Sequence, residues 1–111
     1  MTPVVLYITC ESELEARTLG HKLLKEKLAA CINILPPIQS LYWWNDEIQD
    51  DSETAFLVKT TDDKVDAITD LMNDIHSYDC PCVVALPIEK GNPEFLKWIA
   101  SQVGNIDQGN G

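Results

Sequence analysis

The least ordinary chemistry in the 111-residue chain is the stretch Cys80-Pro81-Cys82. Residues i and i+2 of an extended segment point to the same side, so both sulfurs could reach one ion. The spacing is not the two-residue gap of zinc knuckles, and no second pair exists to complete a tetrahedral zinc site. A two-coordinate copper(I) site would need fewer ligands. The opposing reading is two thiols entering a sheet as small apolar residues. Cys31 carries the same pair of readings, a buried core residue or a soft thiolate ligand at a strand end. His76 closes a helical pattern, where an imidazole is either satisfied by the helix dipole or serves as a ligand or cleft residue. His21 falls on the outer face of a helix and is expected in solvent.

Glu47, Asp50, Asp51 and Glu53 form an acidic run without a calcium-loop pattern. Such a run most often guards a solvated strand edge. Lys59 follows the apolar run Ala55-Phe56-Leu57-Val58, so its ammonium should lie near a sheet and need a partner. Glu53, from the same or a neighbouring chain, is the candidate. Trp43 and Trp44 must point to opposite faces of a strand, so at most one joins the subunit's own core. The other is expected at an interface, where tryptophan is enriched. No nucleophile elbow, phosphate loop, dinucleotide fingerprint or paired metal-binding histidines occur, and nothing in the residues specifies an enzyme.

The elements that position these groups follow from periodicity. Val4 to Thr9 is a short β-branched strand. Ser12 with Glu15 three residues later forms a capping-box pattern, and Ala16, Leu19, Leu23, Leu24 and Leu28 predict an amphipathic helix over 13–29. Cys31 to Leu35 is the second strand. Pro36-Pro37 interrupts it, because proline cannot donate to a ladder, and it resumes from Ile38 to Trp44. Asn45-Asp46 is the turn, and the third strand runs from Glu47 to Lys59, making a long arm with the second. Thr61 or Asp62 caps a second helix whose apolar face is Val65, Ile68, Leu71, Met72 and Ile75. Cys82 to Ile88 is the last strand. Asn92 with Pro93 opens a short terminal helix. Residues 1–106 read as one domain and 107–111 as a frayed tail.

The order is β-α-β-β-α-β plus a helix, an α+β ferredoxin-like sandwich with an extended hairpin between the second and third strands. Both main helices pack on one sheet face, so the other face needs a cover. The terminal helix supplies part of it, and a partner subunit is expected to supply the rest.

Composition sets the outer limits. Eight basic and 18 acidic residues give a net charge of −10. That charge argues against nucleic acid, which needs a basic footprint, and against anionic membrane surfaces. It attracts cations. No apolar run approaches a bilayer-spanning length, and a strand begins almost at once, so the cytoplasm is the expected compartment. Four cysteines (Cys10, Cys31, Cys80, Cys82) are too few for a disulfide scaffold and read as free thiols or metal ligands.

Longer stretches carry a family resemblance. Lys25 through Ile34, Ser40-Leu41-Tyr42-Trp43-Trp44, Glu53 and Leu57-Val58-Lys59-Thr60 resemble the CutA divalent-cation-tolerance family. So do His76-Ser77-Tyr78 with Pro81, Ala85-Leu86-Pro87-Ile88, Gly91-Asn92 and Phe95-Leu96-Lys97-Trp98-Ile99. The resemblance covers nearly the whole chain in order. It implies a tight homotrimer similar in architecture to the PII signalling proteins, with the hairpin embracing a neighbour, and a link to metal tolerance and copper binding. On this resemblance Cys31, Trp44, Glu53, Lys59, His76 and Tyr78 are candidates for a cleft between subunits. The metal candidates are Cys31, His76, Cys80 and Cys82, with no obligatory cofactor. Ser77 stands where the family pattern has proline, and Cys10, Cys80 and Cys82 are not part of that pattern.

Two functions compete ahead of an enzyme using Lys59, His76 and Tyr78. One is a trimeric metal-responsive protein with copper-binding capacity. The other is a trimeric signalling or scaffold protein that binds a small molecule in the inter-subunit cleft, with Glu53 and Lys59 fixing its polar groups and Trp44 and Tyr78 supplying contact area.

Overall fold

The computed structural model describes residues 1–104, and the tail expected at 107–111 lies outside the described residues. The strands are β1 (Pro3–Cys10), β2 (Cys31–Ile34), β3 (Ile38–Trp44), β4 (Glu47–Thr61) and β5 (Val83–Pro87). The helices are α1 (Glu13–Lys25), α2 (Val65–Ile75) and α3 (Pro93–Gln102). The main sheet is antiparallel in the order β2-β4-β1-β5, and β3 pairs with the first half of β4 as an arm. Pro36 and Pro37 separate β2 from β3, as proline demands, so one long β4 pairs with both pieces in turn.

Alternation along the strands sorts residues to two faces. Leu6, Ile8, Phe56 and Val58 point to one face and pack beneath Ala16, Leu19 and Leu23 of α1 and Ile68 and Met72 of α2. Gly20 lets α1 approach closely, since a Cβ there would meet Ile32 Cγ2 at 3.0 Å. The opposite face carries Val5, Tyr7, Cys31, Lys59, Val84 and Leu86, each in register with its cross-strand partner. Helix α3 covers part of this face, seating Phe95 with its ring centroid 5.5 Å from the Lys59 ammonium. Val84 and Leu86 remain exposed.

Helix α1 stops at Lys25 rather than reaching residue 29. Lys27 takes a left-handed conformation (φ 60°), and the Leu28 N–H donates back to the Leu23 carbonyl at 2.9 Å while Lys27 N–H donates to Leu24 at 3.0 Å. This is the paired closure that ends helices, usually at glycine. It turns Leu28 and Ala29 into the core and delivers Cys31 to the sheet. A 3-10 turn at Asp62–Lys64 precedes α2, and neither Thr61 nor Lys64 makes a side-chain cap bond. The expected side-chain cap is therefore replaced by a tight turn. The last strand begins at Val83, leaving Cys82 outside it. At the arm's tip Asn45 (φ 52°) and Asp46 (φ 63°) are both left-handed, the requirement of a two-residue hairpin whose twist matches its strands. Asn92 caps α3, its Oδ1 accepting from Glu94 N–H at 3.0 Å, with Pro93 at the first helical position.

Candidate functional site

The root of the arm and the segment between α2 and β5 enclose an open cleft of about 770 Å3. Its arm wall is formed by Ser40, Leu41, Tyr42 and Trp44 of β3 and Asp51, Ser52 and Glu53 of β4, and alternation puts Ser40, Tyr42, Trp44, Asp51 and Glu53 on one face of the arm. Its body wall comes from Tyr7, Thr9 and Glu11 and from Tyr78, Asp79, Cys80 and Cys82. Among the described residues the charged lining is Glu11, Asp51, Glu53 and Asp79, with no basic side chain. Among the described residues none of these four is in an ion pair.

Two tyrosines join the walls to their carboxylates. The Tyr78 hydroxyl donates to Glu53 at 2.7 Å and the Tyr42 hydroxyl to Asp51 at 2.6 Å. Burial first, then the Glu53 carboxylate, push the Tyr78 hydroxyl far above the usual tyrosine range. The bond to Asp51 raises Tyr42 as well. Both hydroxyls therefore stay protonated and donate.

His76 holds the body wall from behind. Its side chain is fully buried (0% exposed). Nδ1 accepts from the Tyr78 N–H at 3.0 Å, so Nε2 carries the proton and donates to the Thr9 carbonyl, 2.9 Å away. With both ring nitrogens engaged and the ring 4.7 Å from that of Tyr78, His76 ties the Tyr78 segment to β1 and presents no lone pair to the cleft.

Glu15 anchors the same segment. Ser12 caps α1 as expected, accepting from Glu15 N–H at 3.1 Å, but the Glu15 carboxylate reaches past the cap residue to Glu11 N–H at 3.0 Å. It also accepts from the Ser77 N–H and hydroxyl, both at 2.9 Å. Burial raises its pKa, yet the Glu11 and Ser77 donors outweigh burial and hold it below the ordinary carboxylate range. Serine in place of the family's proline supplies both Ser77 donors. The sequence marks Glu15 only as a capping-box residue and Ser77 only as a departure from the family pattern, and no local pattern links residues 62 positions apart.

The structure thus gathers Trp44, Glu53, Tyr78, Cys80 and Cys82 at one cleft. It places Cys31 and Lys59 elsewhere, as cross-strand partners level with Val5. His76 is level with Thr9, about 13 Å further along β1 at ~3.3 Å per residue. Cys31 and His76 are therefore not brought together in one subunit. Within one subunit Lys59 does not pair with Glu53: Glu53 is held by Tyr78 while Lys59 lies against Phe95. Neither Trp43 nor Trp44 joins the core, and both are exposed. Cys10 is fully buried, and burial pushes its thiol up to about 11, so it is inert. Among the described residues no three His, Cys, Asp or Glu side chains converge as a metal-binding group.

Residues 4–102 match the family model described as CutA1 divalent ion tolerance protein. The chain belongs to the CutA1 divalent ion tolerance family. The divalent-cation tolerance protein CutA of Archaeoglobus fulgidus is 45% identical over 98 residues, covering 88% of this chain and 95% of that one. The Thermus thermophilus protein is 42% identical over 100 residues, covering 90% and 97%. Solved structures agree. The A. fulgidus protein, described as periplasmic, superposes with a TM-score of 0.89 at 43% identity over 93% of this chain and all of that one. The T. thermophilus Cut A1 structure superposes with a TM-score of 0.90 at 41% identity over the same shares. The five-stranded sheet and three helices are the CutA1 fold. The chain spans 64% of the Xenopus laevis CutA homolog and 54% of the chloroplastic rice CutA 1, so these relatives are longer.

Proposed function

We propose that the chain is the subunit of a homotrimeric divalent-cation-tolerance protein that binds its ligand rather than transforming it, and that the acidic cleft is where a cation, copper among the metals, is taken up. The observation that carries this reading is the cleft's lining: every charged side chain in it is a carboxylate, and Cys80 and Cys82 add two thiols. Such a surface concentrates cations. The two sulfurs stand at i and i+2 and are soft ligands, a set that suits copper(I), while the carboxylates suit harder divalent ions. No cofactor is obligatory in this reading. Cys31 and His76, the other metal candidates, act outside the cleft: His76 holds its wall, and Cys31 lies on the open sheet face beside Lys59.

The trimer is supported by what the subunit leaves bare. Leu41 (70%), Trp43 (71%) and Ile48 (66%) are exposed together on the outer face of the arm, and Val84 and Leu86 on the open sheet face. Contiguous apolar patches of this kind mark association sites. The cytoplasm is the compartment of this reading, because Cys10, Cys31, Cys80 and Cys82 are free thiols and reducing conditions keep them so. Among the described residues no helix is long and apolar enough to cross a membrane.

A second reading has its own observation. Trp44, Tyr42 and Tyr78 line a cleft of small-molecule size, which favours an organic ligand in a PII-like scaffold.

Copper(I) titration against a competing chelator tests the first reading. The reduced protein is expected to hold copper, and the Cys80→Ser/Cys82→Ser variant to release it. Equal retention by that variant would remove the cleft thiols from the metal site.

A further inference from the structure

The cleft offers more than a small inorganic ion can use. Tyr42 and Tyr78 each hold a hydrogen bond to a carboxylate, Asp51 and Glu53, so a ring lies beside each charge. Trp44 adds a third ring to the same arm face. Each hydrogen bond engages only one oxygen of its carboxylate, leaving the other as an acceptor. A hydrated hard metal ion keeps its waters and makes little use of the rings. An ammonium group can pair with the free carboxylate oxygen while its methylene neighbours pack against the aromatic side chains that line the same cleft. The volume of about 770 Å3 lies within the range of small-molecule pockets, and the open trough admits a linear molecule.

We propose that this cleft binds a linear aliphatic polyamine, with ammonium groups at Glu53 and Asp51 and the methylene stretches along Tyr42, Trp44 and Tyr78. The charge complements the lining, where no basic side chain competes. The tyrosine hydroxyls keep their protons and so remain donors to the carboxylates rather than becoming rival anions. The inference deepens the small-molecule reading above and rests on it, but not on the copper reading.

The test is isothermal titration of the full-length protein with spermidine, with and without excess magnesium chloride at matched ionic strength. Saturable binding that survives magnesium is expected, weakened about fourfold by Trp44→Leu, the scale of one methylene's worth of lost apolar contact. Glu53→Gln should weaken it comparably. Circular dichroism and mass confirm that each variant is folded and assembled. If Trp44→Leu fails that check, Tyr42→Ala reads the same arm face. Absence of saturable heat overturns the proposal. So does binding that magnesium abolishes and that Trp44→Leu leaves unchanged, since that is an acidic surface alone. A parallel copper(I) titration of the wild type separates the two readings. Copper uptake without spermidine binding removes the polyamine and leaves the metal site, and the reverse result removes the metal site.

Discussion

The two halves of β4 obey different rules although they form one continuous strand. From Glu47 to Glu53 it is acidic, paired only with β3, and mostly exposed. From Thr54 to Thr61 it runs between β2 and β1 and is almost wholly buried. The buried half gains its stability inside the subunit, where Phe56 and Val58 are fully enclosed. The arm half gains little there, since its Ile48 and the Leu41 and Trp43 of its partner β3 face outward beside a carboxylate edge. A two-stranded ribbon is marginal by itself in water. The difference teaches that packing inside the subunit does not account for the arm's sequence.

The comparison breaks most sharply at Phe56. Phe56→Ala should cost about 4 kcal/mol of unfolding free energy, read from denaturant titration. A loss below about 1 kcal/mol would mean the buried half is not the core.

Glu15 tests the link between the helical body and the cleft wall. Glu15→Gln should cost about 2 kcal/mol near neutral pH, because charge-assisted bonds from Glu11 and Ser77 are weakened. The pH dependence has a definite sign. Its folded pKa lies below the ordinary value of 4.5, so this stabilisation is present above about 4.5 and lost as pH falls through the folded value. Wild type and Glu15→Gln should therefore converge in melting temperature in acid, and parallel acid profiles would contradict the network.

Cys10 gives an opposite and smaller signature. Its thiol is raised from 9.0 to about 11 in the folded chain, so the unfolded chain ionises first and stability falls as pH rises between those values. Cys10→Ala should flatten that alkaline limb in thermal melts. At the exposed end of the scale, Tyr42→Phe removes only a surface hydrogen bond, and a stability change within about 0.5 kcal/mol is expected.

Most of the fold could be read along the chain because it rests on local signals. Alternation placed the strands, Pro36-Pro37 the break, Asn45-Asp46 the turn and Asn92-Pro93 the last cap. The end of α1 was hidden because a lysine, not a glycine, takes the left-handed closing position. The site was legible only in part. Trp44, Glu53, Tyr78, Cys80 and Cys82 do meet at the cleft. Within one subunit Cys31 and Lys59 do not, since register sets them level with Val5 rather than Thr9. The family pattern marks His76 but not its task, which depends on a carbonyl 67 positions away.

The central claim is that the arm's outer face is covered by other copies of this chain. Its most direct test is the mass in solution of the wild type and of Leu41→Asp/Trp43→Asp, by analytical ultracentrifugation across a dilution series. The account predicts three copies for the wild type and a folded but dissociating variant. A monomeric wild type, or a variant that assembles as tightly as the wild type, would contradict it.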